Sequence, residues 1–416
     1  MTRRRVVITG LGTVNPLAHD VPAYWRGLLA APSGIGPISL FDTTGYKVRI
    51  GGEVKNFNPE PVIDARAVRR LDRFVQLAMV AAHEAVADSG FDVAKEDPFR
   101  CGVILGSGIG GLAEFEAGPT DLLDPKKGPN RLSPFVIPKM IANSAAGNIS
   151  IRYHLQGPNT TVSTACSSAA HAIGDAMRQI AYGFADVMVT GGTEAAITPM
   201  GLSGFIACRA LSENNADPAH ASRPFDAARD GFVLSEGAGV LVIEELEHAK
   251  ARGAKVYAEV VACGNTADAY HITAPHEDGA GAAAAMRAAL AEAGWNPTDV
   301  DYINAHGTST PLGDVAETKA VKHVFGDHAR RVMISSTKSM IGHLLGASGG
   351  VEAIACALSI RHGVVHPTAN LRNQDSAGGC DLDYVPDTPR EARVRRVLSN
   401  SFGFGGHNCS LALAAV

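Results

Sequence analysis

Short apolar runs rich in valine and isoleucine alternate with alanine-rich stretches along the whole chain. The runs at 5–10 (RVVITG), 101–106 (CGVILG), 185–192 (ADVMVTGG), 239–246 (GVLVIEEL), 256–264 (VYAEVVACG), 301–305 (DYINA), 332–336 (VMISS) and 396–401 (RVLSNS) predict strands. Their apolar character is continuous instead of alternating, which predicts strands buried on both faces of a sheet sandwiched between helices. Helices are predicted over 72–88, 139–153, 167–182, 280–293, 315–325 and 346–361. After Cys166, the residues Ala169, Ile173, Met177 and Ile180 recur at three- and four-residue spacing, a core-facing stripe. The class is α/β. No low-complexity linker divides the chain, but EELEHAKARGAKVYAEV ends one strand–helix series and opens another. A break there predicts halves 1–252 and 253–416, each beginning with a strand.

Composition narrows the class of function. Of 416 residues, 46% are hydrophobic and 19% charged, a balance that can bury a large core. The net charge of −5 argues against a general nucleic-acid binder, which needs a basic surface. The apolar run after MTRRR is cut short by Gly10, and no stretch approaches the ~20 apolar residues of a membrane span. A soluble cytoplasmic protein without membrane insertion is expected. The seven cysteines are scattered and never fall into CxxC spacing, which speaks against a disulfide framework and against a metal site.

Candidate chemistry gathers at strand ends. GSGIGG (106–111) fits a dinucleotide-binding spacing, but the continuation LAEFEAGPTDLLDPKKGPNRLSP reads as Pro/Gly loop instead of the helix that fingerprint requires. Cys166 lies among small residues in TVSTACSSAAHAIGDAM, where a strand gives way to a helix. The helix N-terminus would favour a thiolate there. A cysteine alone is more often an inert buried residue, so its meaning depends on what converges on it. His306, in DYINAHGTSTPLGD, and His343, in SSTKSMIGHLLGASGGVEA with Lys338 five residues earlier, occupy similar strand-end settings. NSFGFGGHN (400–408) could offer a backbone N–H to an oxyanion, with Phe402 and Phe404 as movable walls, or could simply turn a hairpin.

Taken in order, TACSSA, NAHGTSTPLGD, TKSMIGHLLGASGGVEA and NSFGFGGHN resemble the β-ketoacyl-acyl-carrier-protein synthases of the elongating, synthase II type. RPFDAARDGFVLSEGAG (223–239) and ADAYHITAP (267–275) strengthen the likeness, which spans nearly the whole chain. The resemblance implies a thiolase fold, two βαβαβαββ halves in a five-layered α/β/α/β/α core, working as a homodimer. It implies an acyltransferase of fatty-acid elongation in which Cys166 takes the acyl chain and His306 and His343 bind the malonyl thioester carbonyl during decarboxylation. Lys338 and Glu352 would support His343, and the N–H groups of Cys166 and Phe404 would form the oxyanion hole. Ile109, Phe205, Thr273, Thr308, Thr310 and Phe402 would line the acyl and pantetheine pocket. No cofactor is implied, because the phosphopantetheine belongs to the acyl carrier protein. That partner is acidic, which gives meaning to local basic residues. Arg69, Arg70 and Arg209 match the family's docking positions, and Arg66, Lys126, Lys127 and Arg131 are further candidates.

The chain carries His407 where elongating synthases commonly have Thr, and residues 115–131 look longer than the usual loop. A type II polyketide ketosynthase would run the same chemistry on another carrier. A non-catalytic chain-length partner would lack the cysteine, and a thiolase would use a second cysteine near the C-terminus, where Cys409 is the only candidate.

Overall fold

The computed structural model describes residues 3–126 and 128–416, so Lys127 lies outside the described residues. All eight predicted strands form, with ends shifted by a few residues. Two more complete the sheet. Asn159–Val162 is polar and lies at the sheet's edge, where half its residues are exposed and no apolar run announces it. His407–Ala414 forms the second arm of a hairpin with Arg396–Gly403.

Among the described residues these strands make one ten-stranded sheet whose two halves repeat the same pairing. In the first, the order is Val6–Val14, Gly237–Glu245, Val187–Glu194, Cys101–Gly106, Asn159–Val162, with two antiparallel pairings followed by two parallel ones. In the second, the order is Ala258–Ala267, His407–Ala414, Arg396–Gly403, Tyr302–Asn304, Met333–Ser335, again antiparallel twice and then parallel twice. A short antiparallel contact, Val7 opposite Glu259 and Ile8 opposite Ala258, joins them. With their principal helices, both halves read βαβαβαββ along the chain.

Side-chain alternation along each strand builds the layers. Val103, Leu105, Val187, Val189, Val240 and Val242 pack under the helices Arg73–Ser89 and Ser144–Tyr153. Their neighbours Ile104, Met188, Leu241 and Ile243 face inward, onto the helices Ser168–Ala181 and Ser348–His362. Those two helices are covered on the other side by Val397, Leu411 and Leu413 of the second half. The helices Ala280–Ala293 and Pro311–Phe325 close the far side over Ile303, Ile334 and Leu398. The result is the expected α/β/α/β/α stack, and both inner helices begin at its centre.

Two local expectations are corrected. The segment after GSGIGG is a helix, Leu112–Leu123, with Pro119 inside it. Packing overrides the breaker: Glu114 pairs with Lys139, and Glu116 accepts from the Met200 N–H (2.9 Å) and the Thr198 hydroxyl. The helix predicted over 139–153 is two pieces, Val136–Met140 and Ser144–Tyr153. None of the described helices is long and apolar enough to cross a membrane.

Candidate active site

Cys166 sits in a 3₁₀ turn, Ala165–Ser167, between the edge strand and the inner helix Ser168–Ala181. Ala165 has φ of 51°, a left-handed conformation that costs a non-glycine residue energy and marks a strained elbow. The C-terminal hairpin presses directly on this elbow. Ser167 Oγ donates to the carbonyls of Ser401 (2.9 Å) and His407 (2.8 Å). A Cβ on Gly403 would lie 2.7 Å from the Thr164 carbonyl, so only glycine permits the approach. Phe404 is thereby placed with its N–H on the Cys166 sulfur, beside the N–H of Cys166 itself. The glycine-rich segment is thus a hairpin turn and the source of one of the two N–H donors at once.

The two imidazoles arrive from the second half. His306 follows the strand Tyr302–Asn304, and its backbone N–H donates to Glu317 (2.9 Å), as does that of Gly307 (2.8 Å). His343 lies between the helical turn Lys338–Ile341 and the inner helix Ser348–His362. The rings meet edge to face with centroids 5.3 Å apart. Leu345 N–H donates to His343 Nδ1 (3.3 Å), and Ser348 Oγ lies 2.9 Å from the same nitrogen. A backbone N–H can only donate, so Nδ1 is the acceptor and Nε2 carries the proton. That Nε2 has no protein partner, and neither has Nδ1 of His306.

Electrostatics fix the protonation states. Burial, reinforced by the charge of Lys338, pushes both imidazoles well below the usual histidine range and keeps them neutral. Lys338 is itself buried in an ion pair with Glu352, whose carboxyl is pushed up by burial against the pull of Lys338. For Cys166 the thiolate expectation is corrected. Burial pushes the thiol up to about 11, and the Phe404 N–H and the Lys338 charge only partly oppose it. The resting group is a thiol, and its reactivity grows with the thiolate fraction. Alkylation of Cys166 by iodoacetamide should therefore accelerate by about tenfold per pH unit from neutrality to roughly pH 9. A plateau near neutral pH would show that the N–H donors win instead.

Cys166, His306 and His343 open into one cavity of about 400 Å³. Phe205, Thr273, Thr308, Thr310 and Phe402 line it, together with Phe404 and with Arg209, which the resemblance puts among the carrier-docking residues. Thr308 and Thr310 touch through their hydroxyls (3.0 Å), and the rings of Phe205 and Phe404 lie 6.4 Å apart. Ile109 does not line this cavity. Its N–H is bound to the buried Glu194 (3.2 Å) and its side chain is turned outward, 41% exposed. Arg66, Arg69 and Arg70 are exposed on and beside the short helix Ala65–Val68, with Arg70 over the Phe135 ring. Lys126 and Arg131 sit together in the next exposed loop, and Arg209 lines the cavity. Cys409 is buried against Cys263, with sulfurs 3.5 Å apart, and does not line the cavity. Sequence reasoning missed Glu317, Ser348, Phe232 and Glu194. The signal available was a charged residue inside or ending an apolar run, as in VMVTGGTE.

A thiol with two N–H donors at its sulfur, facing two neutral imidazoles across an apolar cavity, can form a thioester and stabilise two successive oxyanions. Comparisons with known proteins agree. Residues 3–249 match the pattern described as the N-terminal domain of β-ketoacyl synthase, and 257–372 match its C-terminal domain. The chain is 51% identical over 412 residues to a 3-oxoacyl-[acyl-carrier-protein] synthase 2 of Synechocystis sp., covering 99% of this chain and 98% of that protein. It is 50% identical to the protein of the same name from Coxiella burnetii, over the full length of both. Among solved structures it resembles a ketosynthase in complex with its type II polyketide acyl carrier protein, with a TM-score of 0.92, 34% identity and 100% of both chains covered. A β-ketoacyl synthase from Burkholderia phymatum gives a TM-score of 0.92 at 35% identity, over 99% of this chain and 100% of that one. With matched residues covering most of its length, the chain belongs to the β-ketoacyl synthase family.

Proposed function

We propose that this enzyme is a 3-oxoacyl-[acyl-carrier-protein] synthase that extends acyl chains by decarboxylative condensation. The observation that carries the reading is the convergence of Cys166, His306 and His343 on one cavity, with Nδ1 of His306 and Nε2 of His343 unpaired by protein. In the first half-reaction the Cys166 sulfur attacks the thioester of an acyl carrier protein. The acyl group moves to sulfur, and the carrier leaves as its free thiol, taking the proton that Cys166 gives up. In the second, malonyl carrier protein loses CO₂. The electron pair of the broken C–C bond becomes an enolate whose oxygen accepts from His343 Nε2–H and His306. The enolate carbon attacks the Cys166 thioester, and the N–H groups of Cys166 and Phe404 hold the tetrahedral oxyanion. Its collapse releases 3-oxoacyl carrier protein and the Cys166 thiolate, which regains one proton from water.

Lys338 touches none of these atoms in this scheme. Its charge reinforces the burial that keeps the imidazoles neutral, so that they donate hydrogen bonds without acting as acids. The group transferred arrives on the carrier's own pantetheine, so the scheme uses no cofactor or metal. Arg69, Arg70 and Arg209 are the proposed contacts for the acidic carrier, with Arg66, Lys126 and Arg131 around them. The enzyme is proposed to work in the cytoplasm as a homodimer. The edge strand Asn159–Val162 and the exposed Phe115, Leu123, Ile137 and Ile151 supply unpaired backbone and apolar surface for a second copy. Its two halves are read as 1–252 and 253–416. Fatty-acid elongation is the pathway favoured by the names of the half-identical relatives; the type II polyketide role is the second reading, favoured by the carrier-bound structural neighbour. The test is incubation with acyl and malonyl carrier proteins. Release of 3-oxoacyl carrier protein and CO₂ in equal amounts is expected, and CO₂ without condensed product would overturn the reading.

A further inference from the structure

The repeat of the two halves extends to the elbow. Leu345–Ala347 forms a 3₁₀ turn ahead of the inner helix Ser348–His362, as Ala165–Ser167 does ahead of Ser168–Ala181. Leu345 has φ of 49°, matching 51° at Ala165. Gly346 is therefore the counterpart of Cys166. In the first elbow the strand end at Gly403–Phe404 supplies an N–H to the site. The matching strand of the other half ends at Glu194.

Glu194 is fully buried. Its Oε2 accepts from the N–H of Gly346 (3.1 Å) and of Gly108 (2.7 Å), and its Oε1 from the N–H of Ile109 (3.2 Å) and the hydroxyl of Ser107 (3.2 Å). Compensation for the carboxylate thus comes from fixed N–H and O–H donors. A Cβ on Gly346 would stand 2.3 Å from the Gly108 nitrogen and 2.6 Å from Oε2, so the cradle closes only around a glycine. The elbow copy that holds no thiol lends its Gly346 N–H to an internal carboxyl group, which burial pushes up to about 7 against the pull of these four donors.

The bonds on either side of Glu194 lead to the two reacting groups. Toward Cys166, Ser163 Oγ donates to the Gly108 carbonyl (3.1 Å). Toward His343, the residue before Gly346 is Leu345, whose N–H fixes the imidazole tautomer. We propose that Glu194 is a positioning residue: as the carboxyl group held between the two elbows, it locks the Cys166 elbow to the His343 turn and sets their separation. It touches no substrate, so its loss should slow turnover without weakening the binding of malonyl carrier protein.

This inference rests on the proposed roles of Cys166 and His343, and the experiment separates the two. Condensation by the unaltered enzyme tests the function. Glu194→Ala and Glu194→Gln test the position. Glu194→Ala should lower kcat by about tenfold or more with KM for malonyl carrier protein within about twofold. Formate, a small carboxylate, should reoccupy the emptied cradle, restoring kcat several-fold and raising the melting temperature of Glu194→Ala but not of the unaltered enzyme. Glu194→Gln, which keeps the volume but turns an amide N–H₂ toward N–H donors, should be slowed without rescue. Turnover near the unaltered rate in either variant, or a folded Glu194→Ala indifferent to formate in both readouts, would overturn the proposal. Should neither variant fold, Ser163→Ala cuts the same chain at an exposed residue and should lower kcat by roughly twofold to fivefold; an unchanged kcat there overturns it equally.

Discussion

Alanine at position 343 is expected to abolish the decarboxylation of malonyl carrier protein while leaving Cys166 able to take an acyl group. Of the two active-site imidazoles, His343 is the one whose tautomer the surrounding bonds fix, because Leu345 N–H occupies Nδ1 and leaves the proton on Nε2. It is buried, neutral and without a protein partner, the condition under which a hydrogen bond to a developing enolate is strongest. Removing one such donor typically costs about 10²–10³ in rate. The substitution also strips Leu345 N–H of its acceptor, and an orphaned buried donor costs about 1–3 kcal/mol of stability. Release of labelled CO₂ from malonyl carrier protein and mass measurement of acyl-Cys166, made on the same sample, separate the two half-reactions. Decarboxylation within about tenfold of the unaltered enzyme would show that His306 or another group carries this step.

The second large effect is expected at Cys166, where alanine and glutamine should part company. Either change removes the nucleophile and should reduce condensation by about 10⁴-fold or more. Glutamine, however, places an amide carbonyl where the acyl thioester carbonyl would lie, within reach of the N–H groups of Cys166 and Phe404. Cys166→Gln should therefore keep malonyl decarboxylation active, since the imidazoles are untouched and the site is held as if already acylated. Both variants should melt within a few degrees of the parent. Condensation surviving in either one would remove Cys166 from the proposed mechanism, and decarboxylation lost in the glutamine variant would show that the two half-sites are not separable.

What the sequence revealed follows from how the layers are built. Strands sandwiched between helices are apolar on both faces, so the run at 101–106 stands out, and its neighbour at 159–162 does not. An edge strand with exposed Asn and Thr side chains leaves no apolar trace. Cys166, His306 and His343 could be found because they stand in small-residue turns at strand ends. Glu194 is visible only as a charge ending the apolar run VMVTGGTE, and its role and that of Glu317 are not, because they lie in backbone N–H groups brought from other segments, and such donors have no residue type. The acidity of Cys166 was misread for a related reason. A helix start is visible in the sequence, but the burial that outweighs it depends on an apolar cluster gathered from distant segments, Leu112, Leu202, Phe232 and Leu345 among them. Helix Leu112–Leu123 shows the limit of local rules, since Glu114 and Glu116 anchor a segment that Pro119 would break in isolation.

The most direct test of the account is the mass of the intact protein after incubation with dodecanoyl to hexadecanoyl carrier proteins, followed by peptide mapping. A single acyl adduct is expected on the peptide bearing Cys166, removed by hydroxylamine and absent from Cys166→Ala. A folded protein that takes no acyl group from any carrier, or takes it on another residue, would contradict the assignment of Cys166 as the nucleophile.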